Sequence, residues 1–398
     1  MAVPAKVVSV APGIYWVGVE DWHRRVFDAL IPVPYGTSYN AYLVVGKTKT
    51  ALVDTVDLGS SAELLAKVSA IADPARIDYV VMNHAEPDHA GSIPEVMSVA
   101  KNATLVATEK GVEMARMQYQ VPEKRCLAVN DGAVLDLGDK TLRFVSAPWV
   151  HWPETMFTFV EQEKVLLPCD LFGAHLASDR LFDDEVGDAL LPLAKAYYAM
   201  IMMPYAKMAA SALDKALALR PSIIAPSHGP VYRNPGRIMT AYETWTRGPL
   251  QNKVVLTYVT MWGSTQRLAQ AAASGISAEG VEVIPYNLEM VDLSHLAADL
   301  VDASAIVLGS PTVLGGPHPL AGYALLLLRT LRPRAKLGAF FGSYGWSGGA
   351  LAQTKGALEP LKMVLVDSVD IKGPPTEKDL ERAIELGRNV ARKIRGGR

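Results

Sequence analysis

Cysteine is nearly absent: the 398 residues hold two, Cys126 and Cys169, far apart and in no CxxC pair. That excludes a disulfide scaffold, a thiolate zinc site and an iron–sulfur cluster, and it fits a reducing cytoplasm. Excess charge of either sign is also missing, with 39 basic residues against 41 acidic ones and a net charge of -2. A chain so balanced carries no electrostatic footprint for nucleic acid or for an anionic membrane. No uncharged apolar run approaches the roughly 18 residues that a bilayer span needs. The longest candidate, Ala196 to Ala206, is too short and contains Pro204. Met1 to Gly13 lacks the charged-then-apolar pattern of a secretion signal. The loops GxGxxG and GxxxxGKS/T are missing too, which leaves no support for a dinucleotide or triphosphate site.

What is present divides in two near residue 250. Before it, β-type runs rich in Val, Tyr, Phe and Thr come in groups: Ile14–Val19, Tyr39–Val45, Ala51–Val56, Leu142–Ala147 and Met156–Val160. Helical stretches intervene at Ser60–Ile71, Lys110–Tyr119 and Tyr205–Leu219. This predicts a sheet-rich α+β or layered α/β domain over residues 1–250, not a simple doubly wound sheet. After it, strands and helices alternate: strands at Val254–Thr260, Val281–Leu288, Ala305–Gly309, Leu337–Gly342 and Met363–Val369 are each followed by a helix. That alternation predicts a doubly wound parallel sheet over 251–398. The junction, Trp245 to Lys253, reads as a tight linker.

The densest chemistry is His84-Ala85-Glu86-Pro87-Asp88-His89, at the exit of the apolar strand Tyr79–Met82, with Pro87 and Gly91 favouring a turn. Two imidazoles and two carboxylates within six residues are too costly to bury uncompensated, and metal ions remove that cost. His151, Asp170 and His228 each follow an apolar strand. Singly, such residues cap turns; together, the seven form the pattern of a dinuclear site. They resemble the metallo-β-lactamase fold, whose signature is HxHxDH followed by a distant His, an Asp and a final His. Glu86 stands where that signature has its second His. Four imidazoles and three carboxylates shift preference from zinc toward iron or manganese, which can change redox state.

In the second half, Thr260-Met261-Trp262-Gly263-Ser264-Thr265 follows the first strand and opens a helix. Hydroxyls and N–H groups at a helix start cradle a phosphate, here a single terminal one as on flavin mononucleotide (FMN). Two further loops lie at strand ends, where ligands bind in open α/β sheets. One is Ser310-Pro311-Thr312-Val313-Leu314-Gly315-Gly316, the other Gly342-Ser343-Tyr344-Gly345-Trp346-Ser347-Gly348-Gly349. Their glycines admit a flat ring, and Tyr344 or Trp346 can stack on it.

An HxExDH domain joined directly to one carrying TMWGST and GSYGWSGG resembles the flavodiiron protein family over essentially the whole chain. The resemblance implies a metallo-β-lactamase-like αβ/βα sandwich, then a flavodoxin-like sheet of order 2-1-3-4-5. It implies FMN and two iron ions: His84, Glu86 and His151 on one, Asp88, His89 and His228 on the other, Asp170 bridging. It also implies reduction of dioxygen to water or nitric oxide to nitrous oxide, dioxygen being expected first, and a head-to-tail homodimer. His175 and Tyr197 are candidate proton-supplying groups, with core packing the plainer expectation for Tyr197. Val313–Pro319 lacks the acidic residue many relatives carry there, and no rubredoxin-like segment follows. Electrons are therefore expected from a separate donor, rubredoxin or a reduced deazaflavin or nicotinamide coenzyme. The competing readings are a dinuclear zinc hydrolase with a regulatory flavodoxin-like domain and a non-catalytic electron carrier with a vestigial metal site.

Overall fold

A computed structural model describes residues 7–396. Met1 to Lys6, part of the segment read as lacking a secretion signal, and the last two residues lie outside the described residues. The chain divides into two units, Met1–Arg247 and Gly248–Arg398. Among the described residues, no helix is long and apolar enough to cross a membrane.

The first unit is built on two sheets. One has seven strands in the order Val8–Ala11, Ile14–Trp16, Tyr42–Val45, Thr50–Val53, Tyr79–Val81, Thr104–Ala107 and Cys126–Ala128. The other has five: Val134–Asp136, Thr141–Ser146, Met156–Val160, Val165–Leu167 and Ile223–Ile224. Alternation turns one face of each inward, so that Ile14, Val44, Val53, Val81 and Val106 of the first meet Leu142, Phe144, Val160 and Leu167 of the second in one buried core. Helices lie between strands at Ser61–Ser69, Glu109–Tyr119 and Ala206–Leu219.

Two strands expected as continuous are broken. Ile14–Val19 parts after Trp16, where the Val17 N–H donates to the Ala41 carbonyl, 2.8 Å away. Tyr39–Val45 parts at Asn40, whose N–H donates to the Ser227 carbonyl rather than to a neighbouring strand. In both cases a distant partner outcompetes a local β preference. The expected turn at Pro87 is a short helix, Pro87–Ala90, because proline is well suited to a first helical turn.

The second unit is a parallel sheet in the order Glu282–Asn287, Lys253–Tyr258, Ala305–Val313, Leu337–Tyr344 and Val364–Lys372, which is 2-1-3-4-5. Two segments expected as loops begin as strand. Ser310 and Pro311 pair with Gly342 and Ser343, extending the ladder, and Gly316–Pro317 folds back antiparallel on Thr312 and Val313. The helix Ser264–Ala278 packs on Glu377–Gly396, which buries Ala383, Leu386, Val390 and Ile394 along one stripe.

Those two helices approach closely at Gly275, where a Cβ would lie 2.0 Å from the Ile384 carbonyl oxygen. Backbone cannot yield as a side-chain tip does. Gly275→Ala should therefore cost the second unit about 1–3 kcal/mol, seen as a lower denaturant midpoint; an unchanged midpoint would show that the helices separate freely.

Candidate metal centre and flavin site

All seven metal-capable residues of the first unit follow strand ends on one edge of the two sheets. His84 comes just after Tyr79–Val81, Asp170 after Val165–Leu167, His228 after Ile223–Ile224, and His151 beyond Thr141–Ser146. The fold brings them together as two groups, His84, Glu86 and His151 with Asp170, and Asp88, His89 and His228, and a third group sets Cys169 beside His89 and Asp170.

Asp170 lies between the groups and has no exposed surface. Its Oδ2 is 3.5 Å from His84 Nε2 and 3.4 Å from His151 Nε2. Its Oδ1 is 3.1 Å from His89 Nε2 and 3.5 Å from His228 Nε2. Glu86 Oε2 sits 3.1 Å from both His84 and His151, and Asp88 reaches His228 at 3.1 Å and His89 at 3.4 Å. Ligand atoms about 2.1 Å from a metal are roughly 3.0–3.4 Å apart around a tetrahedron or octahedron, so these spacings fit metal coordination. The chemistry of the set fits too: both carboxylate oxygens of Asp88 and Nε2 of His89 are buried without a hydrogen-bond partner among the described residues.

Electrostatics point the same way. Burial pushes the Asp170 carboxyl up, but the imidazoles, His89 foremost, hold it well below the usual carboxylate range. Burial pulls His151 down, yet Asp170 and Glu86 drive it up to about 10. Against burial, Asp88 and Asp170 hold His89 well above an ordinary histidine. The carboxylates keep protons on His89 and His151, and metal ions compete for those same nitrogens.

His175 and Tyr197 lie beside this cluster. Tyr197 closes the helix Leu190–Tyr197, just before a π-helical turn, Tyr198–Met202. It is buried, and its hydroxyl donates to Asp170 Oδ1 at 2.9 Å. His175 stacks edge-on between His228 and Tyr197, with Nδ1 2.9 Å from Thr37 Oγ1.

In the second unit, the three singled-out segments stand at the carboxyl ends of adjacent strands. The Thr260 hydroxyl accepts from the Gly263 N–H, shaping the turn into the helix Ser264–Ala278. Met261, Trp262, Leu314, Trp346 and Ser347 are exposed, whereas Thr265, Ser310, Pro311 and Ser343 are buried. The Ser310 hydroxyl is used internally, donating to the Pro311 carbonyl and accepting from the His318 N–H. The two later segments meet at Gly349, with φ of +151°, where a Cβ would fall 2.0 Å from the Gly315 carbonyl oxygen. A shelf of exposed apolar side chains beside a helix start fits a flat ring bearing a phosphate tail.

Residues 37–229 match the family described as ODP family beta lactamase, and residues 256–387 match flavodoxin. The chain is 40% identical over 397 residues to the nitric oxide reductase of Moorella thermoacetica, covering 97% of this chain and 98% of that one. Rubredoxin oxygen:oxidoreductase from the anaerobe Desulfovibrio gigas superposes with a TM-score of 0.95 at 31% identity, covering 98% and 99% of the two chains. The flavodiiron protein from Giardia intestinalis superposes with a TM-score of 0.95 at 30% identity, covering 100% of this chain and 98% of that one. This chain belongs to the flavodiiron protein family. As a flavodiiron protein it is an oxidoreductase, and its cofactors are FMN and a non-haem diiron centre.

Glu154 is among the residues of this flavodiiron protein that escaped sequence reasoning. Glu154 Oε1 lies 2.7 Å from His84 Nδ1 and accepts the Ala85 N–H at 2.8 Å. It fixes the His84 ring with Nε2 toward Glu86 and Asp170, the orienting role that a carboxylate takes behind a metal-bound imidazole. Its backbone is held in turn, because the Thr108 hydroxyl donates to the Glu154 carbonyl. The one available signal was an acid three residues beyond His151. At the far end of the helix that Thr108 caps, the Tyr119 hydroxyl donates to the Ala85 carbonyl, so the helix Glu109–Tyr119 braces Glu154 from its start and the HxExDH segment from its end.

Glu154→Gln preserves shape and removes the charge behind His84. Metal retention against a chelator should fall roughly 10–100-fold, with flavin content unchanged; retention equal to wild type would reduce Glu154 to a loop brace.

Proposed function

We propose that this flavodiiron protein reduces dioxygen to water as its first activity, with reduction of nitric oxide to nitrous oxide as its second. The observation that carries the reading is Asp170, which turns one oxygen toward each of two groups of metal-capable residues. His84, Glu86 and His151 would hold one iron, Asp88, His89 and His228 the other, and Asp170 both. When bound, the iron pair supplies a redox-active place for a small oxidant, and FMN supplies electrons, taken in pairs and released singly.

The protein's own groups then control charge, protons and water. Burial pushes the Tyr197 hydroxyl well above its ordinary value, so it stays protonated and donates to Asp170, keeping that carboxylate ionised and oriented. Burial holds His175 well below an ordinary histidine. A neutral imidazole holds one proton without adding positive charge beside His228. The rings of Phe27 and Trp152 lie against His228 and His84, limiting water around the cluster.

Residues 1–250 form the diiron domain and 251–398 the FMN domain in this reading. Thr260, Met261, Trp262, Gly263, Ser264 and Thr265 would take the phosphate end. Ser310 to Gly315 and Ser343 to Gly348 would border the ring, through backbone where the side chain is buried. Both units carry large exposed apolar side chains, among them Trp22, Tyr35 and Trp149 in the first and Trp262, Leu314 and Trp346 in the second. Such side chains support a head-to-tail homodimer. The two cysteines, both free, agree with a cytoplasmic location. The donor is a separate one, and rubredoxin, after which the Desulfovibrio gigas relative is named, is the first to test; a reduced deazaflavin or nicotinamide coenzyme is the rival.

Metal and flavin analysis with gas-consumption assays tests the reading. Two irons and one FMN per chain are expected, with dioxygen consumed when reduced rubredoxin is supplied. Two zincs per chain from iron-rich growth would sink it in favour of hydrolysis, and nitric oxide turnover far above oxygen turnover would reverse the order of activities. Asp170→Ala should keep its flavin and lose turnover by more than the roughly 10–100-fold cost of an outer partner. Light scattering should return about twice the 42.9 kDa chain mass; the single mass would remove the homodimer.

A further inference from the structure

The His228 loop is held from behind by one carboxamide. Asn40 has no exposed surface. Its Nδ2 donates to the carbonyls of Pro226 and Gly229, both at 2.8 Å, and so spans the residues on either side of Ser227-His228. Its Oδ1 accepts the Trp16 indole N–H at 2.8 Å. An indole can only donate, so the amide's orientation is unambiguous, and both of its N–H donors and its oxygen are engaged. Its backbone N–H donates to the Ser227 carbonyl at 2.8 Å. Neighbours reinforce the grip: the Tyr42 hydroxyl donates to the Pro226 carbonyl, His228 Nδ1 to the Ser38 carbonyl at 2.6 Å, and the Gly229 N–H to the Ser38 hydroxyl. Behind Trp16, the buried Lys67 ammonium lies 4.2 Å from the ring centroid, pinning the indole.

His228 follows a strand of only two residues, Ile223–Ile224. We propose that Asn40 is the positioning residue for His228, and that through it Asn40 governs retention of the iron assigned to Asp88, His89 and His228 while leaving the other iron in place. The inference rests on the reading of His228 as a metal ligand. It selects one iron because Asn40 touches the His228 loop, whereas His84 is oriented separately by Glu154.

The test compares Asn40→Asp, Trp16→Phe and His228→Ala in the full-length holoprotein, reading iron and FMN per chain and the Mössbauer spectrum. Asn40→Asp keeps the shape but sets a carboxylate oxygen against two carbonyls. The expected result is loss of about one of the two irons, disappearance of the coupled-pair spectrum and full FMN. Trp16→Phe removes the indole donor together with part of the buried ring, leaves the Asn40 amide in place, and should release one iron to a chelator about tenfold faster; it decides the matter if Asn40→Asp does not fold. Two tightly held irons with a wild-type spectrum, or both irons lost together from folded protein, would overturn the proposal. His228→Ala separates the two failures. If it loses an iron while Asn40→Asp and Trp16→Phe do not, only the positioning role falls; if it keeps both, the ligand assignment itself is wrong.

Discussion

A carboxylate without solvent stays ionised in a protein interior only if positive charge or donated protons meet both of its oxygens, and Asp170 imposes that demand on the first unit. Two imidazole nitrogens lie within 3.5 Å of each oxygen, and Tyr197 donates to Oδ1 besides. Those imidazoles arrive from three separate stretches of chain, the HxExDH segment and the loops of His151 and His228, so the constraint ties the two sheets together. Breaking a single partner of such a buried set leaves charge uncompensated, a far larger penalty than losing one surface ion pair.

The rest of the first unit serves that arrangement. Two of the loops that carry the cluster are gripped by hydrogen bonds from elsewhere: Tyr119 holds Ala85, Glu154 holds His84 and the Ala85 N–H, and Ser38, Asn40 and Tyr42 hold Pro226 to Gly229. Asp54 adds a further brace through the backbone and side-chain N–H groups of Asn83, immediately before His84. Burial raises its carboxyl to about 6, while His89 and Asn83 pull against that rise. Loops that carry reactive groups are ordinarily the looser parts of a fold. Here the HxExDH and His228 segments are tied at two or more points each, which suits a site whose donor atoms must stay within a few tenths of an ångström of a coordination sphere.

The second unit follows a different logic. Its strand ends present exposed apolar side chains, not buried charge, and its polar groups are largely spent on shaping turns. Such a surface holds a flat ligand by shape and contact, with the helix start supplying attraction for a phosphate. Both sites stand at the carboxyl ends of strands, because there the chain leaves the ladder and its side chains become available for chemistry.

Much of this was legible from residues alone. The HxExDH string, the later His151, Asp170 and His228, and the strand–helix alternation after residue 250 are local patterns, and local patterns follow from spacing and hydrophobic period. The parallel order of the second sheet follows likewise, since short connections leave few alternatives. Other features belong to tertiary structure only. Glu154 behind His84, the Tyr197 hydroxyl on Asp170 and the carboxamide of Asn40 inside the His228 loop join residues 70, 27 and 186 or more positions apart. The breaks at Val17 and Asn40, and the strand that runs on through Ser310 to Val313, have the same origin. Sequence determines which groups a strand end offers, because period and turn chemistry act over a few residues; which distant donor meets each group is decided when the two sheets close, because a hydrogen bond depends on position in space and not on separation along the chain.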